Sequence, residues 1–274
     1  MTILIYKLLL GFIGGSLTGM LSYIMELLTK SGVIAVVIIA MFVCGFGSWQ
    51  TWGLLILFFG SSACIHLAKK ILKVSNIESI TEKKHTRDAW QVFANSFPAV
   101  ISLVLFYYTK NQLFMVGYVS GIAGATADTW GSEIGMLSNK LPRSIVSFKS
   151  VEAGLSGGVS VLGSLASFFG SLLISITVWL LYGWHHLYQY PLSLLIMVPL
   201  ICGLINSLVD SLLGATLQVK YRCLICGQLT EQKQHHLQQT KQISGISWLS
   251  NDWVNFLSGS LTVLLSWSIL FSCK

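Results

Sequence analysis

The sequence is poor in charge. Only 10% of its 274 residues are Asp, Glu, Lys or Arg, against about 25% in a soluble domain, so a water-facing surface is excluded for most of the chain. It contains no G-x-x-x-x-G-K-[ST] run, which excludes a P-loop nucleotide site. The first apolar run, Ile3 to about Met25, lacks a small-residue cleavage site and is long enough to span a bilayer. It therefore reads as a span and not as a cleaved signal. Cysteine is sparse and scattered. Cys44, Cys64, Cys202 and Cys273 lie in or beside apolar runs and read as small core residues. Acids are scarcer still, ten against 17 Lys and Arg, so the position of each acid is informative.

What the chain has in abundance is apolar length. Hydrophobic residues make up 54% of it, and runs of roughly 18 or more recur from end to end, which reads as an all-α, polytopic helical membrane protein. The whole of 1–274 reads as one integral membrane domain. Eight segments are expected, at about 3–25, 32–47, 51–68, 90–109, 112–127, 156–183, 191–213 and 253–271. The second and fifth are short for a hydrocarbon core about 30 Å thick. Short or broken spans of this kind often line a site instead of facing lipid.

The formal charge of +7 would point to nucleic acid in a soluble protein. Here it reads as membrane topology, and no nucleic-acid partner is expected. With the loop from Lys69 to Arg87 on the cytoplasmic side, fourteen of the 17 basic residues fall inside, and only Lys7, Lys110 and Lys274 fall outside. The inside loops, about 69–89, 128–155 and 214–252, are long, and the outside loops are short. The unusual polar chemistry therefore gathers on one face, where nucleotides and phosphorylated metabolites are dissolved.

Asp128, Glu133 and Asp210 lie at or within membrane depth, where an ionisable side chain costs roughly 2.5–3.5 kcal/mol on insertion scales. Such a group persists where it faces a cavity, a partner or a metal, or where it sits at a helix end among headgroups. Asn95 and Asn206 lie at similar depth, and Asn206 and Asp210 share a helix face at i, i+4. Asp128 and Glu133, at i, i+5, converge only if the helix breaks, and Gly124, Gly131 and Gly135 permit a break. Carboxylates with amides suit Mg²⁺, a hard cation that bridges to substrate phosphates.

Directly after these acids come Lys140, Arg143 and Lys149, then Gly157-Gly158 at the start of the sixth segment. Cations beside a glycine-rich helix start form a phosphate cradle, although a basic inside loop explains the charges equally well. Arg87 could hold a phosphate or a lipid headgroup, and Asp88 fits a helix N-cap. Asn251 and Asp252 open the last segment between Trp248 and Trp253, either as a cap or as site groups. The loop 214–252 holds Cys223-x₂-Cys226 with His235-His236 beyond, half of a zinc-ribbon pattern at non-standard spacing. Free thiols are one reading. A structural zinc on Cys223, Cys226 and His235 is the other. Trp184-His185-His186 reads as an interfacial belt.

Taken in order, "AGATADTWGSEIGMLS", "PRSI", "GLSGGVSVLGSLAS", "DSLLGATLQVKYRC" and "SWLSNDWVNF" resemble one integral membrane family, long labelled a domain of unknown function. Its plant and cyanobacterial members include phytyl-phosphate kinase of tocopherol and phylloquinone salvage. The resemblance covers nearly the whole chain from about residue 10. It implies transfer of the γ-phosphate of a nucleoside triphosphate, CTP being the usual donor, to phytyl phosphate or a related prenyl monophosphate, giving the diphosphate. It implies Mg²⁺ and a cyanobacterial or plastid membrane, with the site facing the cytoplasm or stroma. The family's motifs fall on Asn95, Asp128, Glu133, Asn206, Asp210, Asn251 and Asp252. Two other readings stay open at this level: a kinase or transferase for another prenyl alcohol or lipid phosphate, and a membrane transporter.

Overall fold

In lipid a spanning segment must satisfy every backbone N–H and C=O internally, so apolar runs become helices. The computed structural model describes residues 2–71, 86–182 and 190–273. Among these residues eight helices follow the eight apolar runs: α1 (Thr2–Ile24), α2 (Lys30–Phe46), α3 (Trp49–Ile71), α4 (Ala89–Thr109), α5 (Gln112–Gly135), α6 (Val161–Tyr182), α7 (Leu192–Thr216) and α8 (Asn251–Ser272). Six are long and apolar enough to cross a membrane, with α2 too short and α5 too rich in small and polar residues to be counted with them. The protein is a multi-pass helical membrane protein. Lys73, Lys83 and Lys84 of the expected basic loop, and Trp184-His185-His186, lie outside the described residues.

Polar side chains fix the helix ends. Thr29 caps α2 through Gly32 N–H, and Asn111 caps α5 through Leu113 N–H. Asp88 forms a reciprocal capping box with Gln91 at the start of α4, the N-cap role expected of it. The turn before α2 is tied to the start of α4, since Thr29 N–H donates to Arg87 O at 3.0 Å and Arg87 N–H to Leu27 O at 2.9 Å.

The centre of the bundle is α5, which packs against α3, α4, α6, α7 and α8. The expected break in α5 does not occur. The helix runs through Asp128 to Gly135 and, at 24 residues, is not the short span expected of the fifth segment. It stays unbroken because its glycines serve a different purpose. A Cβ at Gly124 would press on Asn206 of α7, and one at Gly131 or Gly135 would press on Ser167, Ser160 or Gly163 at α6. Small residues let helices approach closely where no hydrophobic effect draws them together. The same device holds α1, where Gly11, Gly15 and Gly19 sit against Val33, Val37 and Ala40 of α2.

The two long connections at one end of the bundle carry short strands. Strand β1 (Arg143–Ser144) pairs antiparallel with β2 (Gly158–Val159). Gly157-Gly158 therefore leads into a short pairing and does not open α6, which starts at Val161. Between α7 and α8 lie β3 (Lys220–Arg222), β4 (Leu229–Thr230), β5 (Gln234–His235), β6 (Gln238–Gln239) and β7 (Lys241–Ser244). They form a three-stranded sheet in the order β4-β3-β7 and a separate β5-β6 hairpin. Bonds from Val219 N–H to Leu249 O and from Ile246 N–H to Leu217 O close this loop at its base.

Candidate active site

Helix ends converge on a cavity of about 520 Å³. Lys69 reaches it from the end of α3, Arg87 from the approach to α4, and Asp128 and Glu133 from the last turns of α5. Asp210 comes from the end of α7, and Asn251 and Asp252 from the first turn of α8. The segment 153–160 forms one wall, and Leu204 and Leu208 of α7 add an apolar side. Five of the chain's ten acids, Asp128, Glu133, Asp210, Glu231 and Asp252, line this space, against the two cations Lys69 and Arg87 among the described residues. Negative charge in that excess, away from bulk water, requires protons or a cation to balance it.

The Lys69 ammonium sits 2.6 Å from Glu133 Oε2. Asp210 Oδ2 accepts from Ser258 Oγ at 3.2 Å and lies within electrostatic reach of Asp128. Burial lowers the pKa of Arg87 from the ordinary guanidinium value, and the Glu133 carboxylate pushes it back up. Its guanidinium lies over the Phe58 ring at 5.9 Å. Asp252 in the first turn of α8 also meets the positive end of the helix dipole.

Most of the residues expected from the sequence meet here: Arg87, Asn95, Asp128, Glu133, Gly157, Gly158, Asp210, Asn251 and Asp252 all line the cavity. Three do not. Lys140 and Arg143 are exposed and lie off the lining, since Arg143 is held in the β1–β2 pairing. Lys69 and Arg87 take their place as the cavity's cations. Asn206 is buried with its amide committed to packing. Its Nδ2 donates to Gly124 O at 3.1 Å, and its Oδ1 accepts from Thr262 Oγ1 at 2.9 Å. It joins α5, α7 and α8 and borders only a small neighbouring void that Asn95 shares. Interhelical hydrogen bonds in membranes are worth about 0.6–1.7 kcal/mol each. Asn206→Ala is therefore expected to lower the thermal unfolding temperature in detergent while leaving the carboxylates in place. An unchanged temperature would remove the residue from this packing role.

Two lining residues carry no signal in the sequence. Lys69 reads there only as a loop charge. Glu231, in the strand-bearing loop, is 4% exposed and accepts from Ser156 N–H at 2.8 Å. Lys220 Nζ donates to Ser156 O at 3.2 Å, so the two side chains grip Ser156 in the cavity wall through its N–H and its C=O. Burial lowers the Lys220 pKa, and the Glu231 charge raises it. Further along the loop the Cys223 thiol is brought down to about 6 by hydrogen bonding, first from Cys226 N–H, against a smaller opposing effect of burial.

The family described as "Integral membrane protein DUF92" matches residues 14–263. The chain belongs to this family. Among relatives, it is similar to Protein PGR of Arabidopsis thaliana, 31% identical across 95% of each chain. It is 34% identical to the uncharacterized membrane protein MJ0933 of Methanocaldococcus jannaschii over 49% of this chain and 52% of that one. It is 27% identical to Protein VTE6, chloroplastic, of A. thaliana over 85% of this chain and 64% of that one. No solved structure matches the chain. The family match runs through α3 to α7 and into α8, and so reaches every helix that lines the cavity.

Proposed function

We propose that the protein is a membrane phosphotransferase that passes the γ-phosphate of a nucleoside triphosphate, CTP by preference, to phytyl phosphate or a related prenyl monophosphate. The observation that carries this reading is the gathering of five carboxylates and two cations in one cavity at the helix ends of an otherwise apolar bundle. A lipid-borne phosphate and a water-borne triphosphate can meet only at such a boundary. The apolar side formed by Leu204 and Leu208 suits a prenyl tail, and Leu208 is also 52% exposed.

The donor set fits magnesium. Asp128 and Asp210 are hard oxygen ligands that line one cavity and feel each other's charge, and Mg²⁺ commonly takes one or two carboxylates and completes its shell with water and phosphate oxygens. Glu133 lines the same cavity, where Lys69 holds it, and among the described residues it is not gathered with Asp128 and Asp210 into one group of ligand atoms. Bound there, the ion supplies neutralisation of triphosphate charge. Lys69 and Arg87 supply the remaining positive charge, and Asn251 and Asn95 offer amide donors. The acceptor's phosphate oxygen attacks the γ-phosphorus in line, the bridging β–γ bond breaks, and the nucleoside diphosphate leaves with that electron pair. A phosphate monoester is already ionised near neutral pH, with a second pKa of about 6, so no base is needed. Positioning and charge stabilisation carry the rate.

The test is transfer of radiolabelled γ-phosphate from CTP by the purified chain in lipid, with phytol, phytyl phosphate and geranylgeranyl phosphate as acceptors. Label in phytyl diphosphate is the expected result. Label only in a monophosphate made from phytol would move the reaction to the free alcohol. Ion-driven flux into liposomes without nucleotide, and no label in any acceptor, would replace the enzyme with a carrier.

A further inference from the structure

The loop between α7 and α8 brings four soft or borderline ligands together. Cys223 follows β3, and Cys226 lies in the turn to β4. That turn is closed by Gly227 at φ +74°, by Gly227 N–H donating to Cys223 O and by Cys223 N–H donating to Gln228 O, both at 3.0 Å. Ile225 N–H points at Cys223 Sγ from 3.4 Å, as a donor points at a thiolate. His235 and His236 arrive from the β5–β6 hairpin. One ligand atom from each of the four side chains lies within 4.8 Å of all the others.

We propose that Cys223, Cys226, His235 and His236 bind one zinc ion, and that this ion fixes the loop segment that presents Glu231 to the cavity wall. In a tetrahedral zinc site, Zn–S of about 2.3 Å and Zn–N of about 2.0–2.1 Å put sulfur and nitrogen about 3.6 Å apart. Cys226 Sγ and His235 Nδ1 are 3.6 Å apart. Two thiolates with two imidazoles select zinc over the hard cations that suit the cavity carboxylates. Four protein ligands leave no open position, so the ion is structural. Binding displaces the two thiol protons to solvent.

The loop needs such a tie. Its strands are two to four residues long, too short to hold themselves together in water. The hairpin turn places His236 and Leu237 at φ +53° and +62°, a left-handed region that disfavours side chains. Metal binding energy is folding energy in a small element of this kind. The chain order then couples the ion to the cavity. Glu231 lies between the cysteine pair and the histidine pair, and its carboxylate takes Ser156 N–H. The inference goes beyond the proposed reaction and stands whatever group the cavity transfers.

The test uses the full chain purified in detergent without chelator. Elemental analysis is expected to find one zinc per chain, and less than a tenth of that in a Cys223→Ser/Cys226→Ser variant. Cobalt exchanged into the site should give the visible absorption of a tetrahedral sulfur–nitrogen centre. Removing zinc from the unmodified chain with a chelator is expected to speed hydrogen exchange at the Ser156 amide at least tenfold, with recovery on zinc return. Glu231→Gln should speed the same exchange while keeping the zinc. No zinc in the unmodified chain even after zinc is added, or full zinc in the double serine variant, overturns the site. Ser156 exchange that ignores zinc removal overturns the coupling.

Discussion

Asp128→Asn is expected to lower kcat of the proposed transfer by about 10²–10³-fold and to leave the protein as stable as before or more so. The rate loss follows from the loss of charge. A single preorganised electrostatic contact to the transition state is commonly worth about 2.7–4 kcal/mol, and Asp128 is one of two acids in reach of each other on the cavity wall. The stability effect has the opposite sign. Keeping two carboxylates charged within electrostatic reach of each other and away from water is costly, and an isosteric amide removes that cost without opening a void. A lower rate with an unchanged or higher unfolding temperature is therefore the signature of a site residue, and functional sites commonly hold stability lost to their chemistry. Phosphate transfer at the unmodified rate would take Asp128 out of the reaction. A rate loss with an equal fall in stability would reduce it to a packing group.

Gly157→Val is expected to be the most damaging single change to the cavity wall, lowering stability by about 3 kcal/mol or more, the sum of a backbone and a packing cost. Gly157 has φ +86°, where a β-branched residue pays about 1–2 kcal/mol in backbone strain. It also lies against the backbone of Ala215 on α7, so that any Cβ would overlap the Ala215 Cα and N. Overpacking adds typically about 1–3 kcal/mol more. The displaced residue is next to Ser156, the one that Glu231 and Lys220 grip. The unfolding temperature in detergent and the phosphate-transfer rate should fall together. A Gly157→Val variant as stable as its parent would mean that the wall does not approach α7 in this way.

The bundle and much of the cavity are legible in the sequence because the chain is so apolar. Where acids are scarce, Asp128 and Asp210 stand out by depth alone. The capping role of Asp88 and the short span at α2 are equally open to local reasoning. What is not legible depends on long-range partners. Lys69 looks like one of several loop charges until Glu133, 64 positions away, closes on it. Glu231 is one polar residue in a polar loop, and only the folded loop carries it to Ser156. Asn206 has the same depth signal as the acids but spends it on Gly124 and Thr262. The glycines of α5 read as permission to break, since spacing alone does not distinguish a hinge from a surface for close packing. Lys140 and Arg143 follow the acids in sequence, but a two-residue strand turns that segment so that they miss the cavity.

The central helix has a consequence for biogenesis. Enclosed by five neighbours, α5 keeps Thr126, Thr129 and a run of glycines away from lipid, and it is not among the helices apolar enough to cross unaided. Such a segment gains little by partitioning into hydrocarbon on its own. The ribosome delivers it after α3 and α4 but before α6, α7 and α8, so three of its five neighbours are still missing when it emerges. A nascent chain released just after Gly135 is expected to hold this segment in the bilayer less firmly than the full chain does, and the cavity closes only once the last helix arrives.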